Sequence, residues 1–171
     1  MKIVLILLGA VLLIILIVIA TGYLLPKHHI ATRAATYTAT PDQLFPYIAG
    51  PQNWRPDVLD SQLDNGPNGH PILRESLRDG THMTYEITAS DFPKSLTRRI
   101  LGKNLPFDGS WTYTLEPTPT GATVRIVEDA NIYNPLFRFV SRFVTGYTAT
   151  MDKYLQALGP ATGQPHVTIT N

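Results

Sequence analysis

The feature that most restricts how this chain folds is its N-terminal stretch IVLILLGAVLLIILIVIA, residues 3–20, in which every residue is apolar. Extended through Leu25, the stretch is long enough as a helix to cross the hydrocarbon core of a bilayer, which is about 30 Å thick. A cleaved secretory signal is the alternative, since Val18-Ile19-Ala20 has modest side chains at the offsets of a cleavage site. The apolar part of such a signal is usually about 7–15 residues long, so the sequence favours a retained membrane anchor over residues 1–25.

The charges that flank this stretch are nearly balanced. Lys2 precedes it, and Lys27 and Arg33 follow it, so the positive-inside rule gives only a small preference. A short, charged N-terminal tail favours a cytosolic N-terminus. We therefore expect a single-pass protein of a bacterial-type inner membrane, with the lipid bilayer as a partner and the domain on the extracytoplasmic side.

The remainder of the chain is electrically neutral, which excludes one class of partner. Lys2 is the only one of the 14 basic residues that precedes Lys27, so residues 27–171 carry 13 basic and 13 acidic side chains. A nucleic-acid-binding domain needs a basic excess, so no nucleic-acid partner is expected. The sequence has no cysteine, which excludes thiol catalysis and cysteine-ligated zinc. The five histidines, including His28 and His29, lack metal-site spacing and are expected to be solvated or in a linker, so neither metal nor cofactor is expected.

Helix and strand signals alternate after the anchor. Residues 26–31 have the composition of a short extended linker, and TRAATYT at residues 32–38 predicts a first strand. TPDQ at residues 40–43 is a capping box with proline at the first helical position, which predicts a short helix through Ile48. Turn residues such as Asn-Gly and Asp-Gly separate six further strand signals, at about residues 57–64, 70–77, 81–88, 95–101, 109–117 and 121–129.

The hairpin around Asp79-Gly80 has a register that its own side chains select. A three-residue turn with a left-handed glycine places Leu73 opposite Tyr85, so the apolar residues of both strands share one face. A two-residue turn would shift the pairing by one residue and expose the apolar residues of one of the two strands. The selected register directs Glu75 into the interior, and the alternation of the last strand directs Glu128 inward as well.

The C-terminal part of the domain predicts one long amphipathic helix of about six turns. Asn134 caps it, Pro135 starts it and Gly159-Pro160 ends it. Residues 160–171 have no pattern and are expected to form a flexible tail. One face of the helix collects the apolar residues Phe137, Val140, Phe143, Val144, Tyr147, Met151, Tyr154, Leu155 and Leu158.

Consecutive antiparallel strands followed by one long helix predict an α+β domain over residues 32–159, in which a curved sheet of about seven strands surrounds the helix. A strongly curved sheet cannot contact a straight helix along its whole length, so a cavity is expected between them. Apolar and aromatic side chains with a few polar groups suit a mostly apolar small-molecule ligand. The expected ligand-binding residues are Leu73, Tyr85, Ile87, Trp111 and Tyr113 on the strands and Phe143, Tyr147 and Met151 on the helix.

Three segments resemble a known superfamily: ATYTATPDQLFPYIAGPQNWRPDV, DFPKSLTRRI and FDGSWTYTLEPTPTGATVRIVEDANIYNPLFRF. They are similar to the opening strand with its helix and tryptophan loop, a mid-sheet strand, and the last hairpin of SRPBCC, or START-like, proteins. This superfamily includes polyketide cyclase/dehydrase-like proteins and pollen allergens. The resemblance covers about residues 32–158 and implies the helix-grip fold. Family members bind lipids, sterols, quinones, hormones or polyketides, and some are cyclases, but they share no catalytic signature.

Two carboxylates are the candidates for acid–base catalysis, Glu75 and Glu128, because burial could hold a carboxyl as a proton donor. Structural pairing with an arginine is the favoured alternative, since buried charges usually have partners. The sequence offers four arginines for this role, Arg74, Arg98, Arg138 and Arg142.

The sequence therefore favours a membrane-anchored, non-enzymatic module that binds a lipid, isoprenoid or quinone-like molecule. An anchor raises the local concentration of a ligand that is dissolved in the bilayer. The first alternative is a cyclase/dehydratase-type enzyme that uses an inward carboxylate and a tyrosine such as Tyr85 or Tyr113. That alternative requires Glu75 or Glu128 to lie in the cavity without an arginine partner. The second alternative is an interaction domain of a membrane complex.

Overall fold

Residues 2–103 and 105–171 are described by a computed structural model of the chain, so Met1 of the predicted anchor lies outside the described part. The helical elements are α1 (Lys2–Leu24), α2 (Pro41–Ala49), α3 (Pro135–Val140), a π-helical turn (Ser141–Thr145) and α4 (Ala149–Ala161). The strands are β1 (His28–Tyr37), β2 (Val58–Asn65), β3 (Pro71–Leu77), β4 (His82–Asp91), β5 (Ser95–Leu101), β6 (Phe107–Thr118), β7 (Gly121–Ile132) and β8 (Ile169–Thr170). The fold class is α+β, as the sequence predicts.

The strands form one antiparallel sheet in the order β2-β3-β4-β5-β6-β7-β1-β8. The pairing register shifts between Val58 and Asp60 in β2 and between Ile87 and Ala89 in β4, and such irregularities bend a sheet. The six strand signals between residues 57 and 129 correspond to β2–β7. The predicted sheet of about seven strands is therefore confirmed, with the two-residue β8 added at one edge.

The turn between β3 and β4 has the predicted three residues. Leu73 pairs with Tyr85, and the Leu77 amide donates to the Thr81 carbonyl oxygen at 2.8 Å. Gly80 has a φ of 87°, the left-handed conformation that this turn needs. The register that the apolar side chains select is confirmed.

A C-terminal helix is present, but the prediction that it runs unbroken from Pro135 is wrong. The chain forms α3, the π-helical turn and α4, with a break at Gly146. Gly146 has a φ of 77°, a left-handed conformation that interrupts the helical hydrogen bonding. The apolar periodicity continues across this glycine, which is why the pattern predicts one helix. The break leaves Phe143 and Val144 exposed instead of packed against the sheet.

Both ends of the domain contain more regular structure than the sequence predicts. β1 begins at His28, so residues 28–31 of the predicted linker belong to the sheet and pair with β7. The predicted flexible tail, residues 160–171, is corrected too, since α4 continues to Ala161 and β8 pairs with β1. Taken without its neighbours, each segment is too short for alternation of apolar and polar residues to identify it as part of a strand or helix.

The solid core lies where α2 and α4 pack on the concave face of the sheet. Leu44, Phe45 and Ile48 form the buried face of α2, as predicted from its capping box. The Tyr37 hydroxyl donates to the Leu155 carbonyl oxygen at 2.7 Å, which ties β1 to α4. This packing holds α4 against the sheet. α3 and the π-helical turn lie outside this core.

α1 is the one helix in the described part of the chain that is long and apolar enough to span a membrane. Its C-terminal end packs against α3: Gly22 is buried, and a Cβ there would lie 2.1 Å from the Pro135 carbonyl oxygen. The buried Arg138 on α3 donates from Nη1 to the Leu25 carbonyl oxygen at 2.7 Å. A cation at this position complements the negative end of the α1 helix dipole. The domain therefore contacts the end of the apolar helix through α3.

Gly22→Val is expected to separate α3 from α1, because the added side chain collides with the Pro135 backbone. Amide hydrogen exchange of residues 135–140, measured on the full chain in liposomes, should then be faster than in the wild type. Gly9→Val is the matched control on the same helix, since a Cβ at Gly9 meets nothing within 4 Å. Equal exchange rates in the two variants would contradict this contact.

Candidate functional site

A cavity of about 560 Å³ lies between the concave face of the sheet and the segment that runs from α3 to α4. Small-molecule sites typically have volumes of about 300–1,000 Å³. Apolar atoms form most of its wall, and Phe137 and Val140 of α3 belong to that wall. Gly146 also lines it, so the break in the C-terminal helix lies at the gap between helix and sheet. The cavity expected from the curvature of the sheet is present.

Three of the predicted ligand-binding residues line this cavity, namely Tyr85, Trp111 and Tyr147. The other five lie elsewhere, in filled parts of the interior or on the surface: Leu73, Ile87, Tyr113, Met151 and Phe143. The strand residues among them face inward as expected, but they lie where other side chains already fill the space. The break at Gly146 resets the helical phase, so Met151 faces the core and Phe143 faces solvent.

Glu75 is buried, as predicted, and its carboxylate forms an ion pair with Arg55 at 3.1 Å. Arg55 belongs to the loop after α2 and contacts Asp57 at 2.5 Å as well. The partner is therefore a loop residue and not one of the four arginines that the sequence offers. The loop has no periodicity from which this approach could be predicted. An arginine-paired Glu75 does not meet the requirement for acid–base catalysis.

Glu128 lines the cavity and accepts a hydrogen bond from Trp111 Nε1, and its Oε1 lies 2.8 Å from His29 Nε2. The His29 ring stacks on Tyr147, with 4.2 Å between the ring centroids. The sequence predicts a solvated linker histidine, but only 9% of the His29 side chain is exposed. Alternation continued backwards along β1 from the buried Tyr37 would have placed His29 on the inward face.

Arg98 on β5 is a further charged residue of the cavity wall. Its guanidinium carbon lies 5.0 to 5.4 Å from the centroids of four aromatic rings, those of Tyr85, Trp111, Tyr113 and Tyr154. Burial raises the pKa of Tyr113 and of Tyr154, so both phenols stay neutral at physiological pH. Neutral ring faces attract a cation, which explains how an arginine can be held in this apolar position.

The described residues, 2–103 and 105–171, contain no group of three or more His, Asp or Glu side chains that could hold a metal ion. The wall of the cavity is mostly apolar, but it also carries charged residues: Arg55, Asp57, Asp79, Arg98, Asp108, Glu128 and Lys153, with His29 beside Glu128. The arrangement can accept an apolar molecule and offer polar contacts to one end of it.

Comparison with known proteins agrees with this architecture. Residues 28–159 match the family model described as polyketide cyclase / dehydrase and lipid transport. The chain belongs to this family. A search of curated protein sequences gives no match. The family description covers both catalysis and lipid transport, so membership is consistent with a ligand-binding cavity and leaves the activity to be argued from the site.

Solved structures with the helix-grip fold align with most of the chain. A protein from Mesorhizobium loti aligns with a TM-score of 0.55 and 19% identity, over 76% of this chain and 96% of its own. The di-domain ARO/CYC protein StfQ of the steffimycin biosynthetic pathway aligns with a TM-score of 0.62 and 11% identity, over 77% of this chain and 50% of that chain. A norcoclaurine synthase point mutant from Thalictrum, in complex with a transition state analogue, aligns with a TM-score of 0.59 and 12% identity. The alignment covers 79% of this chain and 94% of that chain. These identities establish the fold alone.

Proposed function

We propose that the protein is a membrane-anchored binding module that holds an apolar molecule of the lipid, isoprenoid or quinone kind. The observation that carries this proposal is the cavity of about 560 Å³, whose mostly apolar wall includes Tyr85, Trp111 and Tyr147. A well-formed apolar cavity with a few polar groups is the usual form of a small-molecule site.

The contact between α1 and α3 supports entry of the ligand from the bilayer. In this proposal α1 spans the membrane, and Gly22 and Leu25 near its end hold α3 at the membrane surface through Pro135 and Arg138. α3 is also part of the cavity wall. Large apolar side chains on and beside α3 are exposed, as a surface that meets lipid requires: Leu136, Phe137, Phe143 and Val144.

We propose that the domain lies on the extracytoplasmic side of a bacterial-type inner membrane, which the short, charged N-terminal tail favours. The same anchor restricts the module to the two-dimensional reservoir in which its ligand is dissolved. Tethering therefore raises the effective concentration of the ligand without any additional contact.

The two tryptophans of the chain make this proposal testable. Trp111 lines the cavity, whereas Trp54 packs against the core, with its Nε1 3.1 Å from the Tyr47 carbonyl oxygen. The full chain is placed in phosphatidylcholine liposomes. We then add a long-chain alcohol that is brominated at mid-chain, because bromine quenches the fluorescence of an indole ring with which it is nearly in contact.

Trp111 emission, measured in the Trp54→Phe variant, is expected to be quenched in a saturable way. Trp54 emission, measured in the Trp111→Phe variant, is expected to change much less. Quenching that is equal for the two residues, or absent for both, would overturn the proposal.

Acid–base catalysis is a second candidate function, and one observation favours it. Glu128 lies in the cavity wall beside His29 instead of an arginine. A membrane lipid extract is incubated with the full chain or with His29→Gln and compared by mass spectrometry. A dehydrated or cyclised product that forms with the wild type alone would support catalysis, and identical extracts would exclude it for those lipids.

A further inference from the structure

We infer that the cavity holds a ligand with an anionic oxygen head, a carboxylate or a phosphate, and that Arg98 binds that head. This inference rests on the proposed function and specifies the class of ligand. It follows from the environment of Arg98 and from the contacts of the other charged groups nearby.

Arg98 is buried, with 4% of its surface exposed, and it belongs to the cavity wall. Its Nε and Nη1 atoms have no hydrogen-bond partner among residues 2–103 and 105–171. A buried donor without a partner is costly, and a buried charge more so. The four surrounding rings attract the cation, but none of their hydroxyl groups accepts a hydrogen bond from Nε or Nη1.

No carboxylate in the described part of the chain bonds to Nε or Nη1 of Arg98. Glu75, whose charge acts on Arg98, pairs through Oε2 with Arg55 at 3.1 Å, and its Oε1 has no hydrogen-bond partner among the described residues. Glu128 contacts His29 at 2.8 Å and accepts from Trp111. The charge of Arg98 is therefore left without a direct carboxylate partner in the described part of the chain, and a molecule that enters the cavity can supply one.

The guanidinium favours an oxyanion with two oxygens in one plane. Arginine presents donors in a fixed planar fork that matches carboxylate and phosphate groups. Aromatic rings on several sides exclude water, which strengthens a charged hydrogen bond. The head would lie at Arg98 near Tyr154, and the tail would extend along the apolar wall toward Phe137 and Val140 of α3.

The test compares a mid-chain-brominated fatty acid with its methyl ester, using saturable quenching of Trp111 in the Trp54→Phe chain in liposomes at mildly alkaline pH. The acid is expected to bind at least about tenfold more tightly than the ester, the effect of one charged hydrogen-bonded contact. Brominated lysophosphatidic acid is the third arm: a higher affinity than that of the acid assigns the head as phosphate, and a lower one assigns it as carboxylate.

Arg98→Gln is expected to abolish the preference for the acid, while Arg99→Gln is expected to retain it. Arg99 is the matched control because it is the next residue of β5, has 58% of its side chain exposed, and pairs with Glu86 at 2.7 Å. If circular dichroism shows that Arg98→Gln does not fold, Arg98→Lys takes its place. Lysine keeps the positive charge but lacks the planar donors of the guanidinium, so this variant should prefer the acid over the ester less strongly than the wild type does.

The possible results separate this inference from the proposed function. Equal affinity of the wild type for acid and ester would overturn the role of Arg98 and leave the apolar binding module intact. A preference that persists in Arg98→Gln would also overturn it. Failure of every brominated probe to quench Trp111 would overturn the proposed function and this inference together.

Discussion

Glu75→Gln is expected to destabilise the domain by about 3–5 kcal/mol, the cost of removing one partner from a buried ion pair. The Glu75 side chain is fully buried and Arg55 is nearly so. The substitution leaves the buried Arg55 and Arg98 with one fewer negative charge between them, and the remaining partner of Arg55 is Asp57, which is largely exposed. Urea denaturation of the full chain in detergent, followed by tryptophan fluorescence, measures the loss. The corresponding fall in Tm is roughly 10 °C for a domain of this size.

Asp64→Asn is the control for this prediction. Asp64 on β2 pairs with Arg74 on β3, the strand that carries Glu75, but their side chains are 45% and 57% exposed. Such a surface pair contributes about 0–1 kcal/mol, so the control should unfold almost as the wild type does. Similar losses in both variants would show that Glu75 has no special electrostatic role.

Ala130→Phe is expected to lower the affinity for an apolar ligand at least about tenfold, because the new ring occupies the cavity. Ala130 lies on β7 between Glu128 and Ile132 on the inward face, and all three line the cavity. Overpacking costs about 1–3 kcal/mol where a core is already full. The cavity offers space for the ring, so the free energy of unfolding should change little. The measurement is saturable quenching of Trp111 by the brominated alcohol in the Trp54→Phe background.

Thr123→Phe introduces the same ring on the outward face of β7 and is the matched control. Thr123 contacts Thr36 on the exposed side of the sheet, with 3.0 Å between the hydroxyl oxygens. The control should keep the affinity of the wild type. Unchanged quenching in Ala130→Phe would mean that the ligand binds outside the cavity.

The strands could be predicted from the sequence because one-sided burial gives them a period of two. The pairing of Leu73 with Tyr85 followed from this rule alone, since a shift by one residue would have exposed an apolar set. The inward direction of Glu75 followed from the same register. Its partner could not be predicted, because Arg55 lies in a loop whose path depends on tertiary packing.

The site was only partly predictable, for two physical reasons. A helical pattern gives no warning when one glycine adopts a left-handed conformation, so the break at Gly146 and the exposure of Phe143 were missed. Polar residues on an inward face, such as His29, resemble a linker when they stand at the end of a strand. The sequence presents Arg98 only as a possible partner for a carboxylate, because a pattern of apolar residues does not show that four rings surround a cation.

The most direct test of the account is a map of covalent adducts formed by a photoreactive long-chain alcohol with a mid-chain diazirine, added to the full chain in liposomes. Peptide mass spectrometry locates the adducts after irradiation. The account predicts adducts on cavity residues such as Tyr85, Trp111 and Tyr147, competed away by excess unlabelled alcohol, in addition to adducts on α1. Adducts confined to α1 would contradict it.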